Sequence, residues 1–317
     1  MENPLVSIII PTYKRSEKLS RAVKSVLNQT YKNIEVLVVS DNEPDDEFTA
    51  QALKVVESYH DPRVSLVTQE HHINGAAARN AGIRASKGDY IAFLDDDDFW
   101  DKNKLDIQVN VLNSLDDSWG GVSCKNKIFK GGKLCRLGLT YKSGHLFKRI
   151  LLRQVEVSTI TILLRSKCIP KGGLFDERLL RHQEVQALVN FTYNYKLKLI
   201  DEFLCNVDID DALNRPDPEK LLQIKKVFLD SVKDITSKMS KFDNWNIKLM
   251  NRFEVGGLYI RRGNYLKGIK ECSVVLLSPM ALYYAISLVR KKRKRAKLAE
   301  NFEHRDINYY LKQNGLS

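Results

Sequence analysis

The sequence predicts an α/β fold, a mixed and mainly parallel sheet flanked by helices over residues 1–210, followed by a mostly helical extension over 211–317. Three observations carry this. Short β-branched runs alternate with helix-period stripes through the first part of the chain, the pattern of parallel pairing. Strongly polar residues follow directly on three of those runs. From about residue 215 the texture changes to apolar residues at helical spacing.

Val6–Ile10 reads as a strand buried on both faces. Leu19, Ala22, Val23, Val26 and Leu27 then form the i, i+3, i+4, i+7, i+8 stripe of an amphipathic helix. Ile34–Val39 is the second strand and Val64–Val67 a third, shorter one. Ala76–Ala85 favours helix, with Gly88 as a stop signal beyond its end. Tyr90–Leu94 is a strand that runs into four aspartates, Asp95–Asp98. Leu105, Val109 and Leu112 mark another helix, Thr159–Leu164 a strand, and Glu184–Asn194 a helix leading into Leu197–Ile200. In the extension, Gly256-Gly257 together with Arg262-Gly263-Asn264 suggests the turn of a helical hairpin.

Composition narrows the classes. With 317 residues, 43% hydrophobic and 28% charged, and only 8 prolines and 16 glycines, the chain is neither collagen-like nor disordered. Its five cysteines are scattered with no C-x-x-C, which disfavours a zinc knuckle or disulfide framework and fits a reducing cytosol. No basic stretch precedes Leu5–Pro11, so a cleaved signal peptide is not expected. The net charge of +12 is concentrated late, because residues 211–317 carry 22 basic against 11 acidic side chains. There an apolar segment, Val274–Val289, contains Pro279 and runs into six consecutive basic residues, Arg290–Arg295. At 16 residues it is shorter than a bilayer span of about 20. An apolar segment beside a basic cluster suits an interfacial helix on an anionic membrane. The cluster lacks aromatic interleaving or a reading motif, so nucleic acid is not the expected partner.

Thr12 and Tyr13 follow the first strand, Asp41 and Asn42 the second, and Asp95–Asp98 the strand at 90–94. Ligands of open α/β sheets bind at the carboxyl ends of strands, so these residues converge on one crevice. Four adjacent carboxylates repel one another. A hard cation such as Mg²⁺ or Mn²⁺ relieves that repulsion through oxygen ligands. A solvated acidic turn is the plainer alternative, but the buried strand before the run and Phe99-Trp100 after it favour metal. The adjacent His71 and His72 have no cysteine or third histidine nearby and are not read as a metal site.

Pro11-Thr12-Tyr13, the strand ending in Asp41, Ala78-Arg79-Asn80-x-Gly82, and Gly88-Asp89-Tyr90 through Asp98-x-Trp100 resemble family 2 glycosyltransferases. The match is good over residues 4–115 and weaker to about 205. The resemblance implies a Rossmann-like GT-A fold and inverting transfer from a nucleotide-sugar, UDP-linked, to a hydroxyl of a lipid-linked cell-surface glycan. A lipid-linked acceptor fits the peripheral placement on the cytoplasmic face of the membrane that the basic C-terminal segment suggests. Residue by residue, Pro11, Thr12 and Tyr13 would shape the nucleotide pocket, and Asp41 would accept from the base imide. Asp95 would sit near the ribose, Arg79 near the diphosphate, and Asp97 would bind the divalent metal (Mn²⁺ or Mg²⁺). Arg15, Asn42 and Asp96 are further expected nucleotide contacts. A carboxylate suits an imide donor, and a guanidinium suits phosphate oxygens.

Inversion needs a base for the acceptor hydroxyl. The family places it in a Glu-Asp pair after a Phe-Asp-Glu-x-Leu segment. Here Phe175-Asp176-Glu177-Arg178-Leu179 leads to Gln183-Glu184, so Glu184 is the expected base, with Asp176 or Glu177 as fallback. Two other classes share parts of the pattern. A metal-dependent nucleotidyltransferase would carry a glycine-rich phosphate loop that Pro11–Arg15 lacks, whereas a non-catalytic nucleotide-binding scaffold is kept open by Gln183.

Overall fold

A computed structural model describes residues 3–139, 142–209 and 217–316. The chain opens as β1 (Val6–Thr12), α1 (Ser16–Leu27), β2 (Ile34–Ser40), α2 (Glu47–Ser58), β3 (Val64–Thr68), α3 (Gly75–Ala85) and β4 (Tyr90–Phe93). These four strands pair in parallel in the order β3-β2-β1-β4. The stripe on α1 is buried as its spacing demands, at Leu19, Ala22, Val23 and Val26. Asp46 caps α2 by accepting from Thr49 N–H, and Asn74 caps α3 by accepting from Ala76 and Ala77 N–H. Gly82 lets α3 press onto β1: a Cβ there would lie 2.4 Å from Ile9 Cγ2.

The second half of the sheet is mixed. It comprises β5 (Phe99–Trp100), β6 (Trp119–Lys130), β7 (Lys133–Gly138), β8 (Leu163–Arg165) and β9 (Lys196–Ile209). The helices α4 (Lys104–Asn113), α5 (Phe147–Leu151) and α6 (Gln183–Asn194) accompany them. β8 runs antiparallel to both β4 and β6, while β6 and β9 are parallel. The strand expected at Thr159–Leu164 is corrected here. Thr159–Thr161 is a 3₁₀ turn, held by the Thr161 hydroxyl donating to Ser158 O, and extended pairing begins at Leu163. β6 and β7 carry lysines and polar side chains among their apolar residues, so neither shows the largely apolar, β-branched-rich run that marks β1 and β2.

The extension is α7 (Pro218–Ser231), α8 (Lys233–Thr236), α9 (Lys241–Arg261), α10 (Tyr265–Ser273), α11 (Pro279–Glu300) and α12 (Ile307–Gln313). The division expected at 210–211 lies outside the described residues. Phe228, Val232 and Ile247 share one core with Phe93 and Leu188. Ala299, Ile307 and Tyr310 share another with Phe99 and Phe129. Gly256 and Gly257 do not form a turn. They lie inside α9, and only Arg262–Asn264 connects it to α10. The apolar segment Val274–Val289 is likewise broken. Val274–Leu277 is a 3₁₀ turn, and α11 starts afresh at Pro279 behind the Ser278 cap.

Candidate functional site

The carboxyl ends of β1, β2 and β4 do converge. Pro11, Thr12, Tyr13, Arg15, Asp41, Arg79, Asp95 and Asp96 line one slot of about 270 Å³. Asp41 is buried at its floor. Its Oδ1 accepts from Gln69 Nε2 at 2.7 Å and from Ile73 N–H at 3.2 Å. Burial raises its pKa, opposed by the Ile73 amide and His72. His72 stacks on Tyr13 with ring centroids 4.2 Å apart and reaches back to Asp41. Asn42 lies behind the slot, where its Oδ1 accepts from the Lys14 amide at 3.0 Å. It shapes the loop after β1 and is not among the lining residues.

Each aspartate of the run has its own environment. Asp95 pairs with Arg79 Nη2 at 2.5 Å. Asp96 is 2% exposed and accepts from Thr12 Oγ1 at 2.8 Å. Burial pushes its pKa up to about 6, against the pull of Arg15. Asp97 is held by Arg15 Nη1 at 2.6 Å and is not itself among the residues lining the slot. Asp98 is buried, which raises its carboxyl well above the usual range, and it accepts from Asp208 N–H at 3.0 Å. Among the described residues no group of three or more His, Cys, Asp or Glu forms a ready metal cage. The donor set nonetheless suits a hard ion. Burial raises the Asp97 carboxyl, and Asp95 adds to the rise against Arg15, so ionised oxygens here gain from added positive charge.

Arg79 and Asp95 also line a second hollow of about 360 Å³ that leads away from the slot to Glu184. Glu184 stands in the first turn of α6. Gln183, its buried neighbour, donates to Leu179 O at 2.7 Å and presents Oε1 to Arg79 Nη1 at 3.4 Å. The segment before α6 is pinned by Asn80, which donates to Phe175 O and Glu177 Oε1 and accepts from Leu174 and Phe175 N–H. Asp176 is occupied by Arg178 at 2.7 Å. Both fallback carboxylates therefore serve the loop, and Glu184 alone of the three lines the cleft.

The chain matches glycosyl transferase family 2 over residues 7–166. It belongs to that family. It is 34% identical over 167 residues to the UDP-Glc:alpha-D-GlcNAc-diphosphoundecaprenol beta-1,3-glucosyltransferase WfgD of Escherichia coli, covering 52% of this chain and 61% of WfgD. It is 27% identical over 264 residues to the amylovoran biosynthesis glycosyltransferase AmsB of Erwinia amylovora, covering 81% of this chain and 87% of AmsB. In fold it is similar to S. aureus TarS 1-349, solved in complex with UDP-GlcNAc. The TM-score is 0.64 at 17% identity, over 93% of this chain and 91% of that one. The expected GT-A architecture is thus the observed one.

Several cleft residues of this family 2 transferase are not among the expected site residues. His72 and Asn74 line the slot from the segment before α3, and Gly75 from its first position. Arg295 and Glu156 pair in the wall of the hollow, Arg295 also donating to Leu139 O at 2.8 Å. Within the basic run, Lys291 likewise turns inward to Gln154 O at 2.8 Å. The run is therefore not one solvated face. A signal did exist for Arg295, since Ala281, Ala285, Leu288, Lys292, Arg295 and Ala299 follow a three-four spacing along α11.

Proposed function

We propose that this family 2 glycosyltransferase moves a sugar, with inversion, from a UDP-sugar to a hydroxyl of a lipid-linked cell-surface glycan. The observation that carries the reading is the continuity of the slot holding Asp41 and Tyr13 with the hollow that Glu184 faces, through the shared Arg79 and Asp95. Asp41 accepts from the uracil imide and Tyr13 covers the ring. WfgD, by its name, takes UDP-Glc and an acceptor on diphosphoundecaprenol, which supports the same classes here.

Glu184 accepts the proton of the acceptor hydroxyl while that oxygen bonds to the anomeric carbon. The bond to the diphosphate oxygen breaks on the opposite face, and Arg79 meets the charge left there. Asp97 would hold Mn²⁺ or Mg²⁺, which when bound would neutralise charge on the leaving diphosphate, with Asp95 beside it near the ribose. Arg15 then exchanges Asp97 for phosphate oxygens.

Calorimetric titration with UDP, with and without Mn²⁺, tests the donor half. Mn²⁺-dependent binding that disappears in Asp97→Ala is expected, and metal-independent or absent binding in folded protein defeats it. Glu184→Gln should keep UDP affinity and lose transfer by about a hundredfold or more. Full activity in that variant removes Glu184 as base.

Among the described residues no helix is long and apolar enough to cross a membrane. Yet Leu266, Ile269, Leu276, Leu277, Met280 and Tyr283 are exposed along α10, the turn after it and the start of α11. Exposed Lys267, Lys270, Arg290, Arg293 and Lys294 accompany them. This combination favours peripheral attachment to the anionic inner face of the cytoplasmic membrane.

A further inference from the structure

Beyond the hollow, on the far side of Glu184, lies a larger cavity of about 410 Å³ between α6, α9 and α11. Its size is within the range of small-molecule sites, about 300–1,000 Å³. Glu184, Glu156 and Val157 line both spaces, so the expected base stands where they meet. A molecule whose hydroxyl reaches Glu184 has its remainder directed into this cavity.

The walls have two characters. Leu188, Met250, Phe253 and Leu288 offer a continuous apolar lining. Arg181, Arg261 and Lys292 stand at its exposed edge. Deeper in, Glu254 meets Arg153 at 3.0 Å and Lys225 at 2.6 Å, with His182 at 3.8 Å. That carboxylate is already compensated and does not oppose an incoming anion. Arg153 Nε is buried there without a hydrogen-bond partner. Burial lowers the Lys292 pKa, and Arg261 adds to the effect against Glu156 and Glu254, so an anion between them would relieve the crowding.

We propose that this cavity seats the diphosphate and first isoprene units of a prenyl-diphosphate-linked acceptor, whose sugar lies at Glu184. The assignment as acceptor rests on the glycosyl-transfer reading above. A free pyrophosphate would leave the apolar lining uncovered, and a neutral lipid would bring no charge to meet Arg261 and Lys292. An amphiphile with an anionic junction satisfies both.

The test uses the full chain, saturated with UDP and Mn²⁺ so that the donor slot is filled, and titrated separately with farnesyl diphosphate, farnesol and pyrophosphate. Farnesyl diphosphate should bind alongside UDP, at least tenfold more tightly than either fragment. The double variant Arg261→Gln/Lys292→Gln alters exposed side chains and should weaken that binding at least tenfold with UDP affinity unchanged. Competition between farnesyl diphosphate and UDP, equal affinity for pyrophosphate, or an unaltered double variant would each overturn the proposal. If UDP itself does not bind, the donor reading fails separately. The titration is then repeated without UDP, where loss in the double variant supports a prenyl-diphosphate site and no loss removes it.

Discussion

Asp41 is a buried carboxylate whose desolvation costs stability and whose proposed role is to read the base. It loses water at the floor of the slot, and Gln69 and Ile73 satisfy one oxygen while the other faces His72. A charged hydrogen bond of this kind contributes about 1.5–3 kcal/mol. Asp41→Asn keeps the shape but presents a neutral group that also donates. UDP affinity should fall about tenfold or more, and the preference for UDP over CDP should narrow, as read by competitive titration; an unchanged preference would exclude Asp41 as the base reader. His182 is a second case. Burial, reinforced by Lys225, drives its pKa from 6.5 to about 3, so the folded protein holds it neutral. Its stabilising contribution is present above pH 6.5 and is lost as the pH falls toward 3, because only the unfolded chain takes up that proton. The thermal midpoint should drop between pH 6.5 and 4.5, and less so in His182→Asn, whose side chain tolerates the left-handed φ of 65°. Equal slopes in the two proteins would refute the assignment.

At the scale of elements, α9 and α10 pack through glycine. A Cβ on Gly256 would meet Cys272 N at 2.7 Å and Gly268 O at 2.9 Å, both backbone atoms that cannot swing aside. Nothing lies within 4 Å of the corresponding position on Gly257. The two neighbours therefore respond oppositely to alanine. Gly256→Ala should cost about 1–3 kcal/mol through overpacking. Gly257→Ala should be neutral or stabilising by up to about 1 kcal/mol, since it only removes backbone freedom from the unfolded chain. Urea denaturation of the pair decides, and equal midpoints would contradict the packing account. The same geometry explains why a Gly-Gly pair that reads as a turn lies inside a helix.

Across the whole molecule, the helical extension packs against the sheet domain and helps wall the cleft. Asn314 accepts from Lys102 N–H at 2.8 Å, and Arg295 enters the cleft wall. Its outward surface remains apolar and basic. Co-sedimentation of the full chain with vesicles containing phosphatidylglycerol should exceed that with neutral vesicles and fall with added salt. Replacing Leu276 and Leu277, 68% and 62% exposed, by serine should weaken it several-fold without altering UDP affinity. Salt-independent binding, or none, would remove the membrane reading.

The sequence by itself determined the strands β1, β2 and β4, because short, largely apolar runs encode burial on both faces. It also exposed the polar residues at their ends, which chain topology alone brings together. Thr12, Asp41 and Asp96 are separated by 29 and 55 positions yet line one slot. What only the tertiary structure decided concerns contacts between remote segments: His72 on Tyr13, Asn80 pinning the loop before Glu184, and Arg295 of a basic run turned toward Glu156. Periodicity reports which face of an element is buried. Which charged side chain on that face meets its partner depends on how α11 and α6 pack, and that is fixed by shape across the whole molecule.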